Sequence, residues 1–106
     1  LGACVVFVAT CEMDILLGDV HSLKEKRAVV KPIVRELRRR FDVAAAETDF
    51  QDLHRRALVT VAAVAGDASH ARDVVDACEE WVSGLPEITL VGARRRLFGG
   101  DDEGVG

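Results

Sequence analysis

The hydrophobic residues change period in the same order twice, and this constrains the chain more than any other feature. Residues 3–17 read as a strand. Their first half is apolar on both faces; the second alternates, with Cys11, Met13 and Ile15 on one side and Thr10, Glu12 and Asp14 on the other. From Leu23 the period becomes helical, with Leu23, Val30, Ile33, Val34, Leu37 and Phe41 recurring at three- and four-residue spacing to give one apolar stripe. Residues 57–65 are again strand-like and almost wholly apolar. A second helical stripe then follows at Ala71, Val74, Val75, Cys78, Val82 and Leu85. Two more strand-like segments complete the pattern, residues 43–50 after the first helix and 88–98 after the second.

Local signals set the boundaries. Ser22-Leu23-Lys24-Glu25 has the form of a capping box, in which Ser22 accepts from the Glu25 N–H and Glu25 reaches back to the Ser22 N–H. Pro32 lies inside the first helix. The apolar stripe runs through it without a phase change, which predicts a continuous helix to about Phe41 with a kink near residues 28–32. Asp67 is the expected N-cap of the second helix, and Gly84 and Pro86 mark its end.

The order β-α-β-β-α-β, with two right-handed crossovers, places both helices on one face of a four-stranded antiparallel sheet. The expected class is therefore α+β, a ferredoxin-like βαββαβ sandwich. The first and third strands, apolar on both sides, are the ones that lie centrally in it. A chain of 106 residues accommodates one domain. Residues 1–98 are expected to form it, and residues 99–106, rich in Gly and Asp, a frayed tail.

Hydrophobic residues make up 49% and charged residues 30%, the balance of a chain with a packed core and not of a disordered one. No apolar run approaches the ~20 residues of a membrane span. The apolar opening has no basic region before it and no small-residue cleavage site after it, so it reads as a strand and not a signal peptide. Cys4, Cys11 and Cys78 are odd in number, lack metal spacing and sit in apolar surroundings; the expectation is buried reduced thiols and a cytoplasmic location.

Two segments carry a resemblance. The first is His21-Ser22-Leu23-Lys24-Glu25-Lys26-Arg27 with Val29-Val30-Lys31 after it; the second is Ala46-Glu47-Thr48-Asp49-Phe50-Gln51-Asp52-Leu53 followed by Arg56-Ala57. In order and spacing they resemble the bacterial YlxP-like family, domain-of-unknown-function family 503. The chain departs from that family at Phe50, where a His is common, and at His54, where a Trp is common. The resemblance implies a ferredoxin-like fold. It also implies gene neighbours encoding transcription-termination, translation-initiation and ribosome-binding factors, and it assigns no catalytic residues.

The net charge of −4 is unevenly spread. Residues 24–40 hold eight Lys or Arg against Glu25 and Glu36, whereas residues 67–87 hold six acids against Arg72. On a helix Lys24, Arg27, Lys31, Arg35 and Arg38 share one stripe with Arg39 beside it, a surface that meets several phosphates at once. These six are the candidate nucleic-acid-binding residues. The competing account is a solvated helix face paired with the acidic second helix.

The open sheet face is a poor platform for stacking bases. Its first two strands are expected to present Glu12, Asp14, Glu47 and Asp49, there is no Tyr, and the four Phe and Trp81 are scattered. Arg94, Arg95 and Arg96 form a second basic run, with Arg94 or Arg96 expected across the sheet from Glu12 or Asp14.

Asp19, His21 and Ser22 fall in one short turn, but Ser22 is better explained as a cap than as a nucleophile. His54 and His70 lack a metal-spaced partner. The loop Gly18-Asp19-Val20-His21 holds an Asp and no Arg, unlike the phosphate cradle of the acylphosphatases, which share this fold. The expectation is therefore a non-enzymatic protein with no cofactor, no metal and no catalytic set. Its expected partner is structured RNA or a ribosomal subunit. The alternative is a homo-oligomeric or protein-interaction module, a homodimer among them, that sets the basic helix against an acidic protein surface.

Overall fold

The computed structural model describes residues 5–100. The element order is β1 (Phe7–Leu17), α1 (Leu23–Phe41), β2 (Ala44–Asp49), β3 (Arg56–Ala65), α2 (Ala68–Ser83) and β4 (Ile88–Gly99). The four strands form one antiparallel sheet in the order β2-β3-β1-β4, so the two apolar strands are central, and the architecture is the ferredoxin-like α+β arrangement. Cys4 and residues 101–106, most of the expected tail, lie outside the described residues.

Both helices pack on one side of the sheet, and the core is the layer between. Alternate residues of β1 from Ala9 to Leu17 and of β3 from Ala57 to Ala63 point into it. Val30, Ile33 and Leu37 meet them from α1, and Ala71, Val75, Cys78 and Val82 from α2. Cys11 and Cys78 are buried free thiols, and burial is the main force that raises each to a pKa of about 11. They stay neutral near pH 7 and act as small apolar groups. The helices join at one end through an edge-on Phe41–Trp81 contact with centroids 6.2 Å apart, and the Arg40 guanidinium lies 5.3 Å over the Trp81 ring.

α1 runs as one helix through Pro32. Ser22 is its N-cap and accepts the Glu25 N–H at 3.1 Å. The return bond differs from the expectation. The Glu25 carboxylate accepts the His21 N–H at 3.0 Å and not that of Ser22, because the chain enters the helix with Ser22 fully extended. Asp67 caps α2, accepting the Ser69 N–H.

Two irregularities reorient side chains. In the β2–β3 pairing the register shifts between Glu47 and Asp49, leaving Thr48 as an extra residue. In the β1–β4 pairing it shifts between Asp14 and Ile15, leaving Val91 unpaired. Each is a bulge, and a bulge moves the residues beyond it to the opposite phase.

Candidate functional site

At 100° per residue the six candidate cations of α1 span about 120° of the helix circumference, and from Lys24 to Arg39 they run about 22 Å along it. All six are exposed. The structure nevertheless divides them. Arg38 donates from Nε and Nη2 to the Ala45 carbonyl at 3.1 and 2.7 Å, fastening α1 to the edge strand β2. Arg39 forms a two-pronged pair with Glu36 at 3.0 and 2.8 Å, and Arg40 adds a third bond at 3.1 Å. These guanidiniums hold the Glu36 carboxyl down at about pKa 2. Among the described residues, Lys24, Arg27, Lys31 and Arg35 have no side-chain hydrogen bond and no ion pair. Lys31, Arg35 and Arg38 line a shallow groove between α1 and β2, floored by Val30, Val34 and Ala46.

The acidic second helix does not neutralise this face. Its Asp76 and Glu79 are taken by Arg95 of β4, with Nε 3.1 Å from Asp76 and Nη2 bonded to Glu79. Arg95 pairs in register with the buried Cys11 and so turns to the helix side. Its neighbours Arg94 and Arg96 turn to the open side, where Arg94 stands opposite Glu12 and Arg96 opposite Thr10. The expected register of Arg94 with Glu12 is therefore present. Asp14 differs: its β4 neighbour is Gly92, and its charge partner is Arg56 of β3 at 2.6 and 3.0 Å. Hydrogen bonding to Arg56 lowers the Asp14 pKa.

Glu47 corrects the reading of an acidic open face. The bulge at Thr48 breaks the alternation, so Asp49 keeps the open side, paired with Leu58, while Glu47 pairs with the buried Val59 and faces α1. There it meets Lys26, which is only 2% exposed. Glu47 Oε2 is buried and accepts no well-directed hydrogen bond, so the Lys26 ammonium at 2.6 Å is what compensates its charge. Lys26 also donates to the Phe50 and Leu53 carbonyls, both at 2.7 Å. Phe50 has φ of 63°, a left-handed conformation costly for an aromatic residue, and the Lys26 bond holds its carbonyl in place. The two segments that carry the family resemblance are thus joined by this one side chain.

Counting Lys26 with the exposed basic run would miss this role. A signal for it was present, since Lys26, Val30, Ile33 and Leu37 follow the four-three-four spacing of the buried stripe. His21 lies 2.7 Å from Asp19, while the Ser22 oxygen is occupied by the cap bond, so the three do not form a relay. His54 and His70 are exposed. Among the described residues no helix is long and apolar enough to cross a membrane.

A family model described as "Protein of unknown function (DUF503)" matches residues 8–95. The chain is also 29% identical over 91 residues to the uncharacterised protein YlxP of Bacillus subtilis (strain 168), an alignment covering 86% of this chain and 99% of that protein.

Proposed function

The chain belongs to the DUF503 family, and from that premise we propose that it is a non-enzymatic factor that binds structured RNA through the exposed basic face of α1. The observation that carries this reading is the contrast in charge pairing. Lys24, Arg27, Lys31 and Arg35 have no acidic partner among the described residues, on a protein whose net charge is −4. Unpaired cations on a rigid helix, spaced over about 22 Å, suit several phosphates of a folded RNA and need no base contacts. The gene neighbourhood implied by the resemblance makes a ribosomal subunit the first RNA to test. The acidic helix of a second copy fits this face less well, because Arg95 already holds Asp76 and Glu79.

The test is co-sedimentation of the protein with purified ribosomal subunits, beside a variant carrying Lys24→Glu, Lys31→Glu and Arg35→Glu. Arg38 is left intact because it supports β2. Wild-type binding that the variant loses supports the reading. Its affinity should fall roughly a hundredfold between about 50 and about 200 mM salt if four phosphates are neutralised. No binding, or equal binding by both proteins, overturns it.

A further inference from the structure

We infer that the open face of the sheet is a self-association surface whose occupant is a second copy of this chain. The helices cover one side of the sheet, and among the described residues the other side is bare. Across that side Val8 stands opposite Val64 on β3 and opposite Phe98 on β4, so the three form one apolar row over three strands. Val64 is 72% exposed and Phe98 40%. Large apolar groups lined up on a rigid sheet mark an interaction surface more than scattered single ones do.

Three properties select a second copy as the occupant. The first is charge. Beyond the apolar row the face carries Glu12, Asp14 and Asp49 together with Arg56, Arg94 and Arg96, a balanced set, with Asp14 and Arg56 already paired. A balanced face does not repel its own copy as the basic face of α1 does, and it offers little to a polyanion. The second is area. Four strands of these lengths present roughly 600 Å² in projection, counted from strand rise and spacing. That is close to the ~800 Å² per partner of a standard interface. The third is symmetry. A two-fold axis along the strands, between β1 and β3, lays Val8 of each copy on Val64 of the other. Small residues then meet the arginines, since Ala44 and Ala46 of β2 lie at the levels of Arg96 and Arg94. The edge strands are less suited to pairing. Arg38 occupies the Ala45 carbonyl of β2, and β4 carries a bulge and an arginine run.

The test is sedimentation equilibrium of the full chain at about 50 μM, well above a micromolar Kd. Wild type should sediment at twice the chain mass. Val64→Lys should sediment at the mass of one chain with an unchanged far-ultraviolet circular dichroism spectrum, since the side chain is exposed in the monomer. The Lys31→Glu, Arg35→Glu double variant, altered on the helix face, should keep the double mass. If Val64→Lys loses its circular dichroism signal, Phe98→Ser decides in its place by the same criterion. A single-chain mass for wild type overturns the inference. So does a double mass that survives the sheet substitutions, or one that is lost only with the helix substitutions. Because the helix variant reports on RNA binding and the sheet variants on mass, the two proposals can fail separately.

Discussion

Lys24 and Lys26 stand two residues apart in the first turn of α1 and have opposite fates. Lys24 projects into solvent with Arg27, Lys31 and Arg35, and no acid answers it among the described residues. Lys26 is buried, and its ammonium is surrounded by the Glu47 carboxylate and the Phe50 and Leu53 carbonyls. A buried ammonium requires such partners, because the loss of hydration is compensated only by close, well-placed oxygens. An exposed one needs none and leaves its field available to an external anion. The contrast teaches that a basic run is not one surface. Helical phase sorts it into a part that holds the protein together and a part free to act on something else.

Substitutions sharpen this contrast in descending order of effect. Lys26→Met should lower the unfolding free energy by about 3 kcal/mol, because it leaves the buried Oε2 of the partly exposed Glu47 without compensation. Urea denaturation measures this, and a loss below about 1 kcal/mol would show that Lys26 is not the anchor described. Adding Glu47→Met to it should recover part of the loss, since an apolar pair replaces a half-broken ionic one. Arg38→Ala should cost about 1 kcal/mol through the bond to Ala45, with a similar cost for Ser22→Ala through the lost cap.

Glu36→Gln should have a smaller effect, visible chiefly as pH dependence. The Glu36 pKa is depressed in the folded state, from 4.5 to about 2, by hydrogen bonds from Arg39 and Arg40. Its stabilising contribution is therefore full above pH 4.5 and is lost as pH falls through about 2. The wild-type and Gln stability curves should differ at pH 6 and converge near pH 2; curves that stay parallel would contradict the pairing. Smallest of all, Lys24→Ala and Lys31→Ala should leave stability at the wild-type value. If either destabilises the protein as Lys26→Met does, the division of α1 into two basic sets fails.

Much of the architecture was legible in the sequence because it rests on periodicity and capping. The change from period two to 3.6 placed the strands and helices, and the doubly apolar character of residues 57–65 marked β3 as central. Ser22 and Asp67 marked the helix starts. The candidate surface was legible to the same extent, since the phase of Lys24, Arg27, Lys31 and Arg35 follows from their spacing. What escaped depended on partners distant in sequence. The expected cross-strand register appears at Arg94 and Glu12, but the ion pair of Asp14 with Arg56, 42 residues away, was not anticipated. The competing account set the acids of α2 against α1, whereas two of them, Asp76 and Glu79, answer Arg95. Glu47 and Asp49 were read as sharing one face, as alternation requires; the bulge at Thr48 inserts one residue and sends Asp49 to the open side, while Glu47 keeps the phase of the buried Val43 and Ala45.

The sequence by itself determined the fold class, the order of the strands, and the exposed phase of the α1 cations. Each follows from short-range spacing, which steric and hydrogen-bond geometry converts directly into helix or strand. Only the tertiary structure decided which charges are spent on one another. It set Lys26 against Glu47 and the β2–β3 turn, Arg95 against α2, Arg56 against Asp14, and Arg38 against the carbonyl of Ala45. An ion pair depends on distances of a few ångströms between residues far apart in the chain, and those distances exist only once the sheet register, with its bulges, has been set.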